Sequence, residues 1–148
     1  MKKLFIASDH AAFDLKKSLV ENKNLGVEWV DLGTGSTDSV QYPDYAQDLC
    51  RKILKETSQE ALLSPCGVLL CGSGVGMSMS ANRFKGIRAA LAESVEVAEL
   101  SRQHNASNVL CMGARIVDEA TALNIFRKWL ATPFEGGRHL TRIKLMDS

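Results

Sequence analysis

This chain has no excess of either charge. Its 18 lysines and arginines face 17 aspartates and glutamates, a formal net charge of +1. That balance gives no electrostatic reason to expect a nucleic acid or an anionic membrane surface as partner. Long apolar runs are missing too. Leu4-Phe5-Ile6-Ala7 gives way at once to Ser8-Asp9-His10, which is too short for a signal-peptide core, and no later run is long enough to span a bilayer. The four cysteines, Cys50, Cys66, Cys71 and Cys111, form no C-x-x-C pair, so neither a zinc ribbon nor a thioredoxin motif is written here. Without a secretory signal the expectation is a cytoplasmic protein with reduced thiols. Linkers, internal repeats and low-complexity tracts are also missing. What remains is an ordinary globular composition, 45% hydrophobic and 24% charged, read as one domain over residues 1–148.

The stretch Val68-Leu69-Leu70-Cys71-Gly72-Ser73-Gly74-Val75-Gly76-Met77-Ser78 organises the rest. An apolar run reads as a buried parallel strand. Glycines at its carboxyl end permit a sharp turn and close approach of a ligand to the backbone. A helix expected from Val75 to about Arg83 would point free N–H groups over that turn, which favours an anion. Cys71 stands at its edge, where a helix N-terminus favours the thiolate. The loop lacks the Lys-Ser or Lys-Thr of a P-loop. Gly72, Gly74 and Gly76 miss the dinucleotide fingerprint by one position, although Glu93 lies where a ribose-binding acid would sit, so a nucleotide-binding module stays open. Met77 stands where a cysteine phosphatase would be expected to have arginine. An inert buried cysteine in a tight turn also stays open.

Taken in order, the chain alternates strand and helix five times. Strands are expected at 3–8, 26–32, 67–71, 87–92 and 108–112. Helices are expected at 11–21, 42–55, 75–83, 94–103, 119–130 and 138–146, with Pro43 in the first turn of the second and Ser94 and Asp118 as caps. In the first helix Ala12, Leu15, Leu19 and Val20 share a face, with Lys16 and Lys17 outside. Residues 57–65 read as a short helix end and a surface loop. The alternation predicts an open, three-layer, doubly wound, Rossmann-like, five-stranded and mostly parallel sheet. Ligands of such sheets sit at the carboxyl ends of strands, which here offer Asp9, His10, Cys71 with its glycines, and Gly113-Ala114-Arg115.

Each remaining candidate has two readings. His10 is a structural histidine or a ligand-binder. His104 is a helix C-terminal cap or an acid–base group. Arg138 and Arg142, spaced i and i+4, are a solvated basic face or a phosphate clamp. A metal site from His10, His104 and His139 is conceivable, but no recognised ligand spacing supports it.

Several motifs follow one another in a recognisable order. They are Ser8-Asp9-His10-Ala11, Tyr42-Pro43-Asp44-Tyr45, Cys71-Gly72-Ser73-Gly74-Val75-Gly76, Ala81-Asn82-Arg83-Phe84-Lys85-Gly86-Ile87-Arg88-Ala89, Ser101-Arg102-Gln103-His104-Asn105, Gly113-Ala114-Arg115 and Glu135-Gly136-Gly137-Arg138-His139. The chain closely resembles the type B ribose-5-phosphate isomerases, in the family that includes galactose-6-phosphate isomerase. The resemblance implies a metal-independent, cofactor-free aldose–ketose isomerase of the pentose phosphate pathway, working through an enediolate. It implies a homodimer or homotetramer with the site between subunits. Six-carbon substrates such as allose or galactose 6-phosphate are an alternative, and a non-catalytic sugar-phosphate or nucleotide-binding module is a further one. By the same resemblance Cys71 is the base that moves a proton between C1 and C2, and His104 opens the sugar ring. Asp9, His10 and Asn105 contact substrate, and Gly72, Ser73, Gly74, Val75 and Gly76 form the anion loop. Arg115, Arg138 and Arg142 occupy basic substrate- or phosphate-binding positions. Gln41 stands where an aspartate is common, Ala12 where glycine is frequent, and the 57–66 loop is longer than usual.

Overall fold

A computed structural model describes residues 1–148. Five strands, β1 (Lys2–Ser8), β2 (Val27–Asp31), β3 (Gly67–Cys71), β4 (Ala89–Leu91) and β5 (Val109–Gly113), alternate with helices. These are α1 (Phe13–Glu21), α2 (Tyr42–Glu56), α3 (Val75–Ala81), α4 (Val95–Asn105), α5 (Glu119–Ala131) and α6 (Arg138–Met146). The strand order is β2-β1-β3-β5-β4, and every pairing is parallel. The sheet expected to be mostly parallel is therefore wholly so.

Right-handed crossovers then assign the layers. The β1→β2 and β4→β5 connections step one way across the sheet, which sends α1 and α4 to one face. The β2→β3 and β3→β4 connections step the other way, which sends α2 and α3 to the opposite face. α5 packs with α1 and α4. Side-chain alternation along the strands serves both faces. Leu4, Ile6, Val68, Leu70, Leu110 and Met112 meet Phe126 and Trp129 of α5 in one cluster. Phe5, Ala7, Leu69, Cys71, Val109 and Cys111 meet Leu49 and Ile53 of α2 and Met77 of α3 in the other.

The local signals held at Ser94 and Asp118, whose side chains accept the N–H groups of Val97 and Thr121. Elsewhere tertiary contacts changed the outcome. The first helix begins as a 3-10 turn, His10–Ala12, capped by Asp9, before α1 proper. Lys16, expected outside, is buried. Its Nζ reaches Asp31 Oδ1 and Oδ2 at 2.7 and 2.6 Å, so the charge is carried to a partly exposed partner. The third helix stops at Ala81 rather than Arg83, where the N–H of Asn82 closes on the carbonyls of Ser78 and Ser80. The fourth strand shortens to three residues.

The 57–65 segment is not merely a surface loop. It contains a 3-10 turn, Ala61–Leu63, with Leu62 buried, and its carbonyls are drawn into a polar knot at the amino edge of the sheet. Arg88 Nη2 donates to Leu62 O at 2.6 Å, and its Nε donates to Asn105 O and Ala106 O. Arg102 donates to the carbonyls of Thr132, Ser107 and Leu63. Asn108 Nδ2 donates to Leu62 O and Gly86 O. Trp129 Nε1 donates to Ser107 Oγ. Burial, with Arg88 adding to it, lowers the Arg102 pKa to about 10, so the guanidinium remains charged at neutral pH. The charge is satisfied by carbonyl dipoles rather than by a carboxylate.

Replacing Arg102 by methionine keeps much of the side chain's volume but leaves those three carbonyls without their donor. Arg102→Met should cost about 3 kcal/mol, the scale of one or two buried polar groups losing their partner. Urea unfolding checks it as a lower midpoint at unchanged m-value. A midpoint equal to the parent's would mean that water substitutes for the guanidinium.

Candidate active site

The carboxyl edge of the sheet carries the first group of candidates. Asp9 follows β1, is buried, and accepts the Ala12 N–H through Oδ1 at 3.2 Å. His10 Nδ1 accepts the Val40 N–H at 3.2 Å, which orients the ring and leaves Nε2 as the other functional nitrogen. Cys71 ends β3, opposite Gly113 of β5. Cys71 is 5% exposed, and its Sγ accepts the Gly74 N–H at 3.1 Å, which ties the sulfur to the turn.

The glycine loop is wedged from three sides. A Cβ on Gly113 would stand 2.4 Å from the Ser73 carbonyl carbon, one on Gly74 2.6 Å from Leu91, and one on Gly76 2.5 Å from the Tyr42 ring. Gly74 also has φ near +80°, open to glycine at no steric cost. The anion cradle is smaller than expected, because two of its donors are used inside the chain. The Gly74 N–H goes to the sulfur, and the Val75 N–H goes to Ser73 Oγ at 3.2 Å. Those of Gly72, Ser73 and Gly76 donate to no other group of the chain. Arg115 belongs to this edge as well. Its N–H donates to Gly72 O, and its guanidinium lies 3.2 Å from where a Gly72 Cβ would be.

The other candidates gather at the opposite edge. α4 leaves the carboxyl end of β4 and returns to the amino end of β5, so His104 and Asn105, in its last turn, stand at the amino edge. Asn105 is exposed, its carbonyl tied to Arg88 Nε at 3.0 Å. α6 packs against α4, and Asp147, just past its end, accepts the Gly86 N–H at 2.9 Å ahead of β4. Arg138 and Arg142 are therefore on this edge too, both exposed. The five residues of β5 separate the two edges by roughly 13–17 Å at about 3.3 Å per residue. Cys71 and His104 do not meet within one chain.

At the amino edge His104 has company that its sequence position did not announce. Its ring stacks on that of His139, centroids 4.6 Å apart and planes at 16°. Glu135 Oε1 lies 3.9 Å from His104 Nε2 and 3.7 Å from His139 Nε2. Of the three histidines considered together from the sequence, His104 and His139 converge, while His10 lies at the other edge. Burial, then His104 and Arg138, hold the His139 imidazole below the usual histidine range, with Glu135 pulling the other way. Burial also raises the thiol pKa of Cys50 to about 12 and lifts those of Cys66 and Cys111, so these three are structural thiols.

Neither group occupies an enclosed cavity. A cavity of about 510 Å³ lies beside the β4 edge among Arg83, Lys85, Arg88, Asn105 and Met146, and Cys71 does not line it. Both groups are open to solvent.

Comparison with known proteins gives these two groups a context. The family model described as Ribose/Galactose Isomerase matches residues 4–146. Ribose-5-phosphate isomerase B of Escherichia coli is 40% identical, over 100% of this chain and 96% of its own. A solved ribose 5-phosphate isomerase from Thermotoga maritima superposes with a TM-score of 0.88 at 45% identity, covering 99% of this chain and 97% of its own. The Mycoplasma genitalium ribose-5-phosphate isomerase B, solved with bound ribulose-5-phosphate, gives a TM-score of 0.88 at 40% identity, over 97% and 93% of the two chains. With a family model spanning nearly the whole length and relatives of this identity end to end, the chain belongs to the ribose/galactose isomerase family.

Proposed function

We propose that this chain is an aldose–ketose isomerase that interconverts ribose 5-phosphate and ribulose 5-phosphate through an enediolate. The observation that carries the reading is the similarity, at 40% identity and over nearly the whole chain, to an isomerase solved with bound ribulose-5-phosphate. The reading extends to residues 1–148 acting as one unit, in the cytoplasm, in the pentose phosphate pathway. No helix is long and apolar enough to cross a membrane.

The mechanism assigned here uses both edges. Cyclic aldose binds with its anomeric carbon near His104, whose imidazole takes the proton from the anomeric hydroxyl and returns one to the ring oxygen. The opened sugar presents its C2–H to Cys71. The sulfur removes that proton as the C1 carbonyl oxygen takes up negative charge; a proton then passes from the C2 hydroxyl to O1, and the thiol returns its proton to C1 to give the ketose. The unpartnered N–H groups of Gly72, Ser73 and Gly76 are donors for the developing charge. Asp9, His10 and Asn105 hold hydroxyls. Arg115 binds from the cysteine side. Arg138 and Arg142 grip the phosphate, far from the reacting carbons, so that its binding energy aligns the sugar.

Because roughly 13–17 Å of β5 separates Cys71 from His104, a working site takes one half from each of two chains, which we assign to a homodimer. Apolar side chains sit exposed beside both halves, Val75 and Met79 on α3 and Leu145 and Met146 on α6. In a two-fold dimer such patches meet reciprocally.

Cys71→Ser should fold and still bind ribose 5-phosphate, while turnover falls by about 10²–10⁴-fold, the scale of a lost general base. Exchange of the C2 proton with solvent should disappear with it. Near-parental exchange in this variant would falsify the assignment of Cys71 as the base.

The composite site has its own test in mixed subunits. Cys71→Ser and His104→Ala are each expected to be inactive alone on the cyclic aldose. Unfolded together and refolded, they should regain roughly a quarter of parental activity, since half the dimers are mixed and each mixed dimer keeps one intact site of two. No recovery, with mixed dimers shown to be present, would place both residues in the site of a single chain.

A further inference from the structure

The cluster at the end of α4 holds more than the ring-opening role uses. His104, Glu135 and His139 each offer one ligating atom, and the three atoms lie within 4.8 Å of one another. We propose that these residues form a binding site for a zinc-class transition-metal ion, and that filling it stops ring opening. The second half of this proposal rests on the role given to His104 above.

The donor set is two imidazoles and a carboxylate, a combination suited to zinc, copper(II), nickel(II) or cobalt(II) rather than to magnesium or calcium. Arg138 and Arg142 on the same helix as His139 reinforce that selection. They oppose any added positive charge, so only ions that bond imidazole strongly compete.

The three ligands are held by separate means. His139 is buried in the first turn of α6 and is the fixed member. Glu135 lies one turn earlier, and its N–H donates to Gln103 O at 3.0 Å, pinning the loop to the end of α4. His104 completes the set from α4. Its Nε2 and that of His139 stand 3.9 and 3.7 Å from the same Glu135 oxygen. Ligand atoms around a tetrahedral zinc are about 3.3 Å apart, so the two histidine–glutamate distances of 3.9 and 3.7 Å must shorten by about half an ångström and the widest separation, within 4.8 Å, by up to about 1.5 Å. The stacked rings point their lone pairs side by side, so His104 must also tilt toward His139. The His104 and Glu135 side chains are 42% and 51% exposed and free to make that movement.

Occupancy has a direct consequence. An imidazole whose lone pair is bonded to a metal takes no proton from an anomeric hydroxyl. Metal binding and ring opening are then mutually exclusive at His104, and the ion acts as a reversible inhibitor of turnover on the cyclic aldose.

The test uses the chelator-treated full-length protein, with Co²⁺ alone as the binding probe and Zn²⁺ as the inhibitor. Co²⁺ should bind at one ion per chain, showing ligand-field absorption without a sulfur-to-metal charge-transfer band. Cys71→Ser should bind as the parent does. Glu135→Gln and His139→Gln should each weaken binding by more than about tenfold, the scale that even an outer-shell partner of a metal can command. Glu135→Gln should turn over ribose 5-phosphate at the parental rate without metal and resist Zn²⁺ at concentrations that inhibit the parent. A charge-transfer band, or Glu135→Gln binding Co²⁺ as tightly as the parent, overturns the site. Zn²⁺ inhibition that survives in Glu135→Gln after binding is lost overturns the link to ring opening. The binding arm needs no turnover, so a parent inactive on ribose 5-phosphate would defeat the proposed function while the Co²⁺ result still decides the site.

Discussion

All five strands run in one direction, and most of the functional layout follows from that constraint. A parallel sheet needs a return path for every strand, so every strand-to-helix turn falls on one edge and every helix-to-strand turn on the other. Cys71, Asp9 and His10 stand directly after strands and share the first edge. His104 closes a helix that leads into a strand and belongs to the second. No side-chain rotation brings these groups together across a strand of five residues. The chain carries its two groups of functional candidates on opposite edges, and the role proposed for each residue follows from its edge.

The amino edge poses the harder physical problem, because the ends of helices and the starts of strands bring many carbonyls together away from water. The knot of Arg88, Arg102 and Asn108 answers it with fixed donors. Its reach explains several features at once. It buries Leu62 and the turn around it. It closes the end of α4, where Ala106 takes a left-handed conformation with φ of 45°. It ties the carbonyl of Asn105 in place directly after His104. The imidazole that sits half in water is thus carried on backbone whose next two carbonyls are held by Arg88.

Local chemistry in the sequence was enough to read the cysteine turn. An apolar run, a terminal cysteine and alternating glycines specify strand, edge and turn without outside help, and β3 spans the residues expected. The Ser94 and Asp118 caps were legible for the same reason, since a cap bonds within three residues. The burial of Lys16 was not legible. Helical periodicity places it outside, and only the approach of Asp31 on the neighbouring strand makes an inward path favourable. The carbonyl partners of Arg88 and Arg102 lie in segments distant along the chain, so no spacing records them. The meeting of His104 with Glu135 and His139 depends on how α6 packs against α4. From the sequence a metal site of His10, His104 and His139 was conceivable but without a supporting ligand spacing; in the structure His10 lies at the other edge and Glu135 stands beside the other two. The opposed edges, by contrast, were implicit in the alternation of strands and helices.

The crowding around Gly74, Gly76 and Gly113 has a bearing on substrate range. The cysteine loop has Ser73 against Gly113, Leu91 against Gly74 and the Tyr42 ring against Gly76, with no space for a single added methyl group. Such a wall does not yield to fit a longer or shorter molecule. On the roles proposed above, adjustment to the number of carbons between carbonyl and phosphate would fall to the opposite edge, where Arg138 and Arg142 project on long, exposed side chains. In that reading the reacting end of the sugar would meet a rigid gauge, and its tail would be measured by arms that can extend.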